Sequence, residues 1–306
     1  MLRISSTRLN PARPGALLLL AAGWMALAPA PSQGQEVQLR YGYQEGMELR
    51  YEIVQNTAVP IPGMGEMNQE QRQVLSLRVL SVDAEGNARI RQTIEAMSMR
   101  MDSPMGVQSF DTESGAAPSD PAFAPLAAMV GTGSEITMAP TGEVLDFGDL
   151  GEWMDALLEG VDPEVRAVVG GAFTEEALES MVRQSAQVLP ADPIAPGASW
   201  ETSLTVPVAF GTMESTTVYT LREVESVEGR SVAVFDVGGR MGALRPEEGN
   251  PMAAMMEMSG GEMDGVFRFD VDRGVFLESE VSMSMEMAVM GQAMSSTTRT
   301  VMRLLP

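Results

Sequence analysis

The chain of 306 residues contains no cysteine and no histidine, and arginine is its only basic residue, so lysine is absent too. Each absence closes a chemistry. Without cysteine there is no disulfide, no thiolate nucleophile and no N-terminal cysteine to acylate. Without histidine, serine triads and imidazole-ligated zinc are excluded, and without lysine so are Schiff bases. General acid–base work near neutral pH would fall to carboxylates of strongly raised pKa, and no motif marks such a group. A glycosidase needs only two placed carboxylates, yet nothing singles out a pair among the 42 acidic residues. Asp111-Thr112-Glu113-Ser114-Gly115 has two residues too many for an aspartic-protease turn and falls in a predicted loop. Asp270-Val271-Asp272-Arg273-Gly274 opens like a calcium loop but lacks the later ligands, so it reads as a hairpin turn. The reading is non-catalytic, with no cofactor.

Long apolar runs are missing as well. The most apolar stretch, Gly15 to Leu27, is about 13 residues against the roughly 20 of a membrane span. Arg3, Arg8 and Arg13 precede it, and small residues follow at Ala30 and Gly34. This is the pattern of a signal peptide over 1–34, with Gly34 favoured over Ala30 as the cleavage point because Pro31 follows the latter. The expected location is outside the cytoplasm, in a periplasm or the extracellular space, with no membrane span. Net charge is −22 at pH 7, and the leader holds three arginines and no acid, so the remainder is more acidic still. Such a field repels nucleic acid and anionic membrane surfaces, and it keeps the chain in solution.

What is present reads as β-structure. Along Val281, Met283, Met285, Met287 and Val289 apolar residues alternate with Ser282, Ser284, Glu286 and Ala288, the period that gives a strand two different faces. Phe267 and Phe269 alternate upstream and lead into a turn at Asp272-Arg273-Gly274. Residues 37–58 predict a strand, a turn at Gln44-Glu45-Gly46 and a second strand. Residues 71–82 and 88–101 predict a hairpin turning through Glu85-Gly86, and 136–147 another turning at Pro140-Thr141-Gly142. The prolines and small residues of 102–125 predict loop. Only 149–189 changes period: Leu150, Trp153, Leu157 and Leu158, then Leu178, Met181 and Val182, recur at three and four and predict a helical pair.

The second half then echoes the first. Residues 45–53 align with 196–204, 77–90 with 221–234, and 136–147 with 267–278, in the same order and with glycine at or beside each turn. The predicted architecture is mainly antiparallel β, about ten strands in two related units at 35–148 and 190–306 that form half-barrel-like or sandwich halves. The helical segment lies between them. The run Leu189-Pro190-x-x-Pro193-x-x-Pro196-Gly197-x-x-Trp200 resembles an uncharacterised family of secreted bacterial proteins. The architecture also resembles the lipoprotein-carrier half-barrels, which implies a curved sheet wrapped around an apolar cavity.

Methionine is the unusual signal, with 26 residues in clusters such as Met97, Met99 and Met101 and Met283, Met285 and Met287. Three explanations compete: flexible core filler, a soft surface for a hydrophobic ligand, and thioether binding of Cu(I) or Ag(I) at Met283, Met285 and Met287. The leading functional expectation is a carrier for a lipid-like apolar or amphiphilic ligand. Met97, Met99, Met101, Phe267, Met283, Met285 and Met287 are its expected lining. Soft-metal binding and an envelope scaffold with a protein partner are the alternatives.

Overall fold

The computed structural model describes residues 36–61, 63, 65–104, 106–115, 123–148, 150, 179, 182–183, 189–208, 211–246, 256–289 and 292–306. The leader over 1–34, and the helical pair of 149–189 except at positions 150, 179, 182–183 and 189, lie outside the described residues.

Among the described residues, the alternating segments become thirteen strands of one antiparallel sheet that does not close on itself. The chain before residue 149 supplies β1 (Glu48–Ile61), β2 (Gly65–Val82), β3 (Ala88–Ser103), β4 (Gly106–Asp111), β5 (Gly133–Met138) and β6 (Val144–Asp146). The chain after residue 189 supplies β7 (Ser199–Val208), β8 (Gly211–Val227), β9 (Arg230–Met241), β10 (Arg245–Pro246), β11 (Met256–Asp270), β12 (Val275–Val289) and β13 (Gln292–Leu304). The expected mainly antiparallel β class is what the chain adopts. Pairing runs β1–β2–β3–β5–β6 among the strands before residue 149 and β7–β8–β9–β11–β12 among those after 189, with β4 beside β3 and β10 beside β8. β13 pairs with β12 on one side and β1 on the other, so the described strands form one continuous sheet.

Turn chemistry follows the residues. Val227 pairs with Arg230, leaving Glu228-Gly229 as a two-residue loop with φ of 52° and 79°. Both angles are positive, as the tight hairpin turn that matches strand twist requires. The Asp270–Gly274 segment is a hairpin turn. Asp270, fully buried, accepts hydrogen bonds from the Arg273 backbone N–H and the Arg230 guanidinium, both at 2.9 Å.

Two segments differ from expectation. Residues 38–43 form no strand; only Val37 makes a bridge, to Ile194. Their backbone is used to fasten turns: Tyr41 N–H donates to Pro140 O and Gly42 N–H to Gly274 O. Gly42 lies so close to the Arg273 carbonyl that a side chain would collide with it. The predicted loop over 102–125 contains β4, a 3-10 turn at Thr112–Ser114 and the short helix α1 (Ala124–Ala128). Its one aromatic anchor within β4, Phe110, pairs opposite Met99 and is buried.

The two faces of the sheet are chemically distinct. One carries ion pairs between strands, including Arg72–Glu52, Arg299–Glu280, Arg91–Glu135 and Arg222–Asp236. The other holds the core at one end of the strands. There Leu39, Tyr51, Leu221, Phe235, Phe267, Phe269 and Phe276 are buried together. Trp200 stacks on Tyr219 with centroids 5.1 Å apart and meets Phe235 edge-on at 5.5 Å. Such pairs contribute about 0.5–1.5 kcal/mol each beyond their buried area. Segments 36–47 and 189–200 lie over this end, which is why the Pro-rich run ends on an aromatic. Tyr41, Tyr43 and Tyr51 are pushed up in pKa chiefly by burial.

Candidate ligand-binding face

The inner face changes character along the strands. Beyond the aromatic core, register aligns the same kind of side chain across the sheet. Met101 stands opposite Gln69, Gln69 opposite Thr57, and Thr57 opposite Thr298. The row continues from Thr298 to Met283, Met263 and Gly239, and ends on β8 at Thr217. The row beside it runs Met99, Gln71, Gln55, Thr300, Val281 and Gly265. Neither row contains a charged residue. The hydroxyls of Thr57 and Thr298 share a hydrogen bond of 3.1 Å. These rows are thioether, amide, hydroxyl and glycine, able to meet an apolar chain and to hydrogen-bond a neutral polar group.

Glycine creates the room on this face. A Cβ at Gly239 would lie 2.7 Å from the methyl of Met263. At Gly261 and Gly265 it would strike the carbonyls of Ser284 and Glu280 in β12. The close backbone approach there requires glycine, and it removes side chains from between the methionines.

The seven residues expected to line a cavity fall in three places. Met97 and Met99 are 3% and 8% exposed and pack with Phe110 and Phe123, in contact with Leu126 and Ala127 of α1. They are core there. Met101, one pair further along β3, is partly exposed. Phe267 is 8% exposed, with Tyr219 and Phe276 rings at 5.7 Å, and belongs to the aromatic core. Met283, Met285 and Met287 share one face of β12 and stay partly exposed. They are four strands from β3 in the sheet order.

Register adds neighbours that the sequence reading missed. Met263 is opposite Met283, and Met258 and Met294 flank Met287 from β11 and β13. The missed signal was spacing across turns: each lies as far from its hairpin turn as its partner does, apart from one bulged residue.

The charged face offers two open grooves of about 630 and 600 Å³. Arg50, Arg78 and Glu95 border the first, and Arg222, Asp236 and Arg268 the second. Arg50 is bonded to Glu95, Arg222 to Asp236 and Arg268 to Glu225. Arg222 holds the Asp236 carboxyl below the usual carboxylate range by hydrogen bonding. These groups satisfy one another and leave the grooves without a directed donor set. Among the described residues, no group of three or more acidic side chains is placed to hold a metal ion. Nor is any helix long and apolar enough to cross a membrane.

No curated protein matches the chain. Among solved structures, the chain is similar to one described as "lipid-protein interactions in lipovitellin". The TM-score is 0.47 and the identity 9%, over 86% of this chain and 25% of that one. The chain thus spans a quarter of the lipovitellin chain's length. It is also similar to DynF from the dynemicin biosynthesis pathway of Micromonospora chersina, with a TM-score of 0.20 and 10% identity over 94% and 92% of the two chains. Residues 85–276, more than half of the sequence, match a family of unknown function, DUF6263, and the chain belongs to that family.

Proposed function

We propose that the protein is an exported, non-catalytic carrier that holds an apolar or amphiphilic, lipid-like ligand against the uncharged inner face of its sheet. One observation carries this reading. The row from Met101 on β3 to Thr217 on β8 crosses eight strands without a charge, while the opposite face is laced with arginine–carboxylate pairs. Ligand sites combine mostly apolar lining with a few polar groups that set orientation. Here methionine supplies the adaptable apolar part, and Gln55, Gln69, Gln71 and Thr300, all partly exposed, supply neutral donors and acceptors. An uncharged face suits an acyl chain or a neutral headgroup, since an isolated charge brought there would lack a partner. The signal-peptide pattern of residues 1–34 supports a site of action outside the cytoplasm.

Titration with a fluorescent long-chain fatty-acid probe, followed by native mass spectrometry of the protein from its own cells, tests the proposal. Saturable binding that is lost in Met283→Arg and kept in Arg299→Gln, on the opposite face, is the expected result. Absence of binding by any acyl probe, or binding indifferent to Met283→Arg, overturns it.

A further inference from the structure

At the far end of the same face the register gathers sulfur alone. Met258 of β11 pairs with Met287 of β12, and Met287 pairs with Met294 of β13. We propose that these three methionines form a binding site for a soft monovalent metal ion, Cu(I) or Ag(I). Residues directly opposite one another on adjacent strands share a face and place their Cβ atoms about 4.5–5.5 Å apart. A central methionine with one neighbour on each side therefore presents three flexible thioethers to a common point above Met287. One row nearer the core the series is Gly261, Met285 and Ser296, with a single sulfur. The next is Met263, Met283 and Thr298, with two. Of these three rows, the Met287 row alone offers three thioethers to one ion.

The alignment depends on a local irregularity. The register slips between Met258 and Gly260, so Ser259 is accommodated as a bulge and Met258 comes to rest opposite Met287. Bulges re-aim side chains, and without this one Met258 would fall on the opposite face. All three residues are partly exposed, so an ion can reach them. Thioether sulfur is a soft donor that selects Cu(I) over the harder divalent ions, which prefer imidazole or oxygen. The chain has no histidine or cysteine to compete for the ion elsewhere, and its net charge of −22 draws cations towards it.

This inference does not rest on the carrier reading, and leucine separates the two. Methionine-to-leucine exchange keeps the apolar volume and removes the sulfur. The protein is titrated anaerobically with Cu(I) against a competing chromophoric chelator. One equivalent bound per chain, abolished in the triple variant Met258→Leu, Met287→Leu, Met294→Leu, is expected. Met287→Leu alone should weaken binding by about tenfold or more, the scale on which metal sites respond even to the loss of supporting groups. Met99→Leu, buried beneath Phe123, should leave it unchanged. Fatty-acid probe binding persists in the triple variant if the carrier reading also holds. In the event that the triple variant does not fold, ¹³C-methyl-methionine spectra of the unmodified protein give the answer, because Ag(I) must shift the methyls of Met258, Met287 and Met294 selectively. No uptake against the chelator, undiminished uptake by the folded triple variant, or shifts confined to other methionines overturns the proposal.

Discussion

Tyr51 in β1 donates its hydroxyl to the carbonyl oxygen of Phe276 in β12, 3.0 Å away, across the intervening β13. The bond is buried and ties β1 to β12, strands far apart in the chain, over the strand that lies between them. Tyr51→Phe leaves that carbonyl without its donor, which costs about 1–2 kcal/mol. Urea denaturation should show this loss, with the far-ultraviolet spectrum unchanged.

Asp270 fastens two turns through one buried carboxylate, using the Arg230 guanidinium and the Arg273 backbone N–H. Removing one partner of a fully buried pair costs about 3–5 kcal/mol. The Arg230 side chain is 37% exposed and can recover water, so Asp270→Asn should cost about 2–3 kcal/mol. Chemical denaturation of the two proteins measures the difference.

The methionines divide by role. Met99 is enclosed by Phe110 and Phe123, so Met99→Ala should destabilise by about 2–4 kcal/mol through lost contacts and a cavity. Met285 is partly exposed beside Gly261, and Met285→Leu should change stability by less than about 1.5 kcal/mol. Thermal melts of both variants distinguish filler from face.

Glu228 holds φ at 52° in a turn where asparagine is at ease and glutamate is not. Its contact with Arg230, at 3.4 Å on the surface, is a weak one. Glu228→Asn should therefore stabilise the fold by about 0.5–1 kcal/mol, readable as a shifted denaturation midpoint.

Asp83 organises the β2–β3 turn by accepting hydrogen bonds from the Asn87 side chain and from the backbone N–H groups of Asn87 and Glu85. These bonds, that from the Asn87 side chain foremost, hold its carboxyl below the ordinary range. A depressed folded-state pKa stabilises above the unfolded value, near 3.9, and the contribution disappears as pH falls through the folded value. Asp83→Asn should be less stable than the parent at pH 7, and the gap should shrink as acid is added below about pH 4. Denaturation series at several pH values read it directly.

The strands and most turns were legible because period-two alternation and glycine are local signals. Val281 to Val289 announces β12 by itself, and Gly86, Gly142, Gly229 and Gly274 mark hairpins. The strandless path of residues 38–43 was not legible. The backbone of Tyr41 and Gly42 bonds to turns about 100 and 230 residues away, and loop closure over such spans leaves no trace in spacing. β4 was hidden by the glycine and proline around it. Without β4 and α1, the burial of Met97 and Met99 could not be told from exposure. For the inner face, composition indicated methionine, but the grouping of Met258, Met287 and Met294 depends on the bulge at Ser259, which no pattern marks.

The position of β13 has a consequence for how the protein is made. β13 follows every other described strand along the chain, yet it sits between β12 and β1, the first of them, with Leu304 aligned to Tyr51. Until β13 is made, one edge of β1 lacks its partner among the described strands. The described sheet is therefore not completed strand by strand in chain order, because β13 joins β12 to β1 across nearly the whole described chain. Contacts of such separation slow folding, and the edge of β1 that β13 covers is open to wrong pairing until they form.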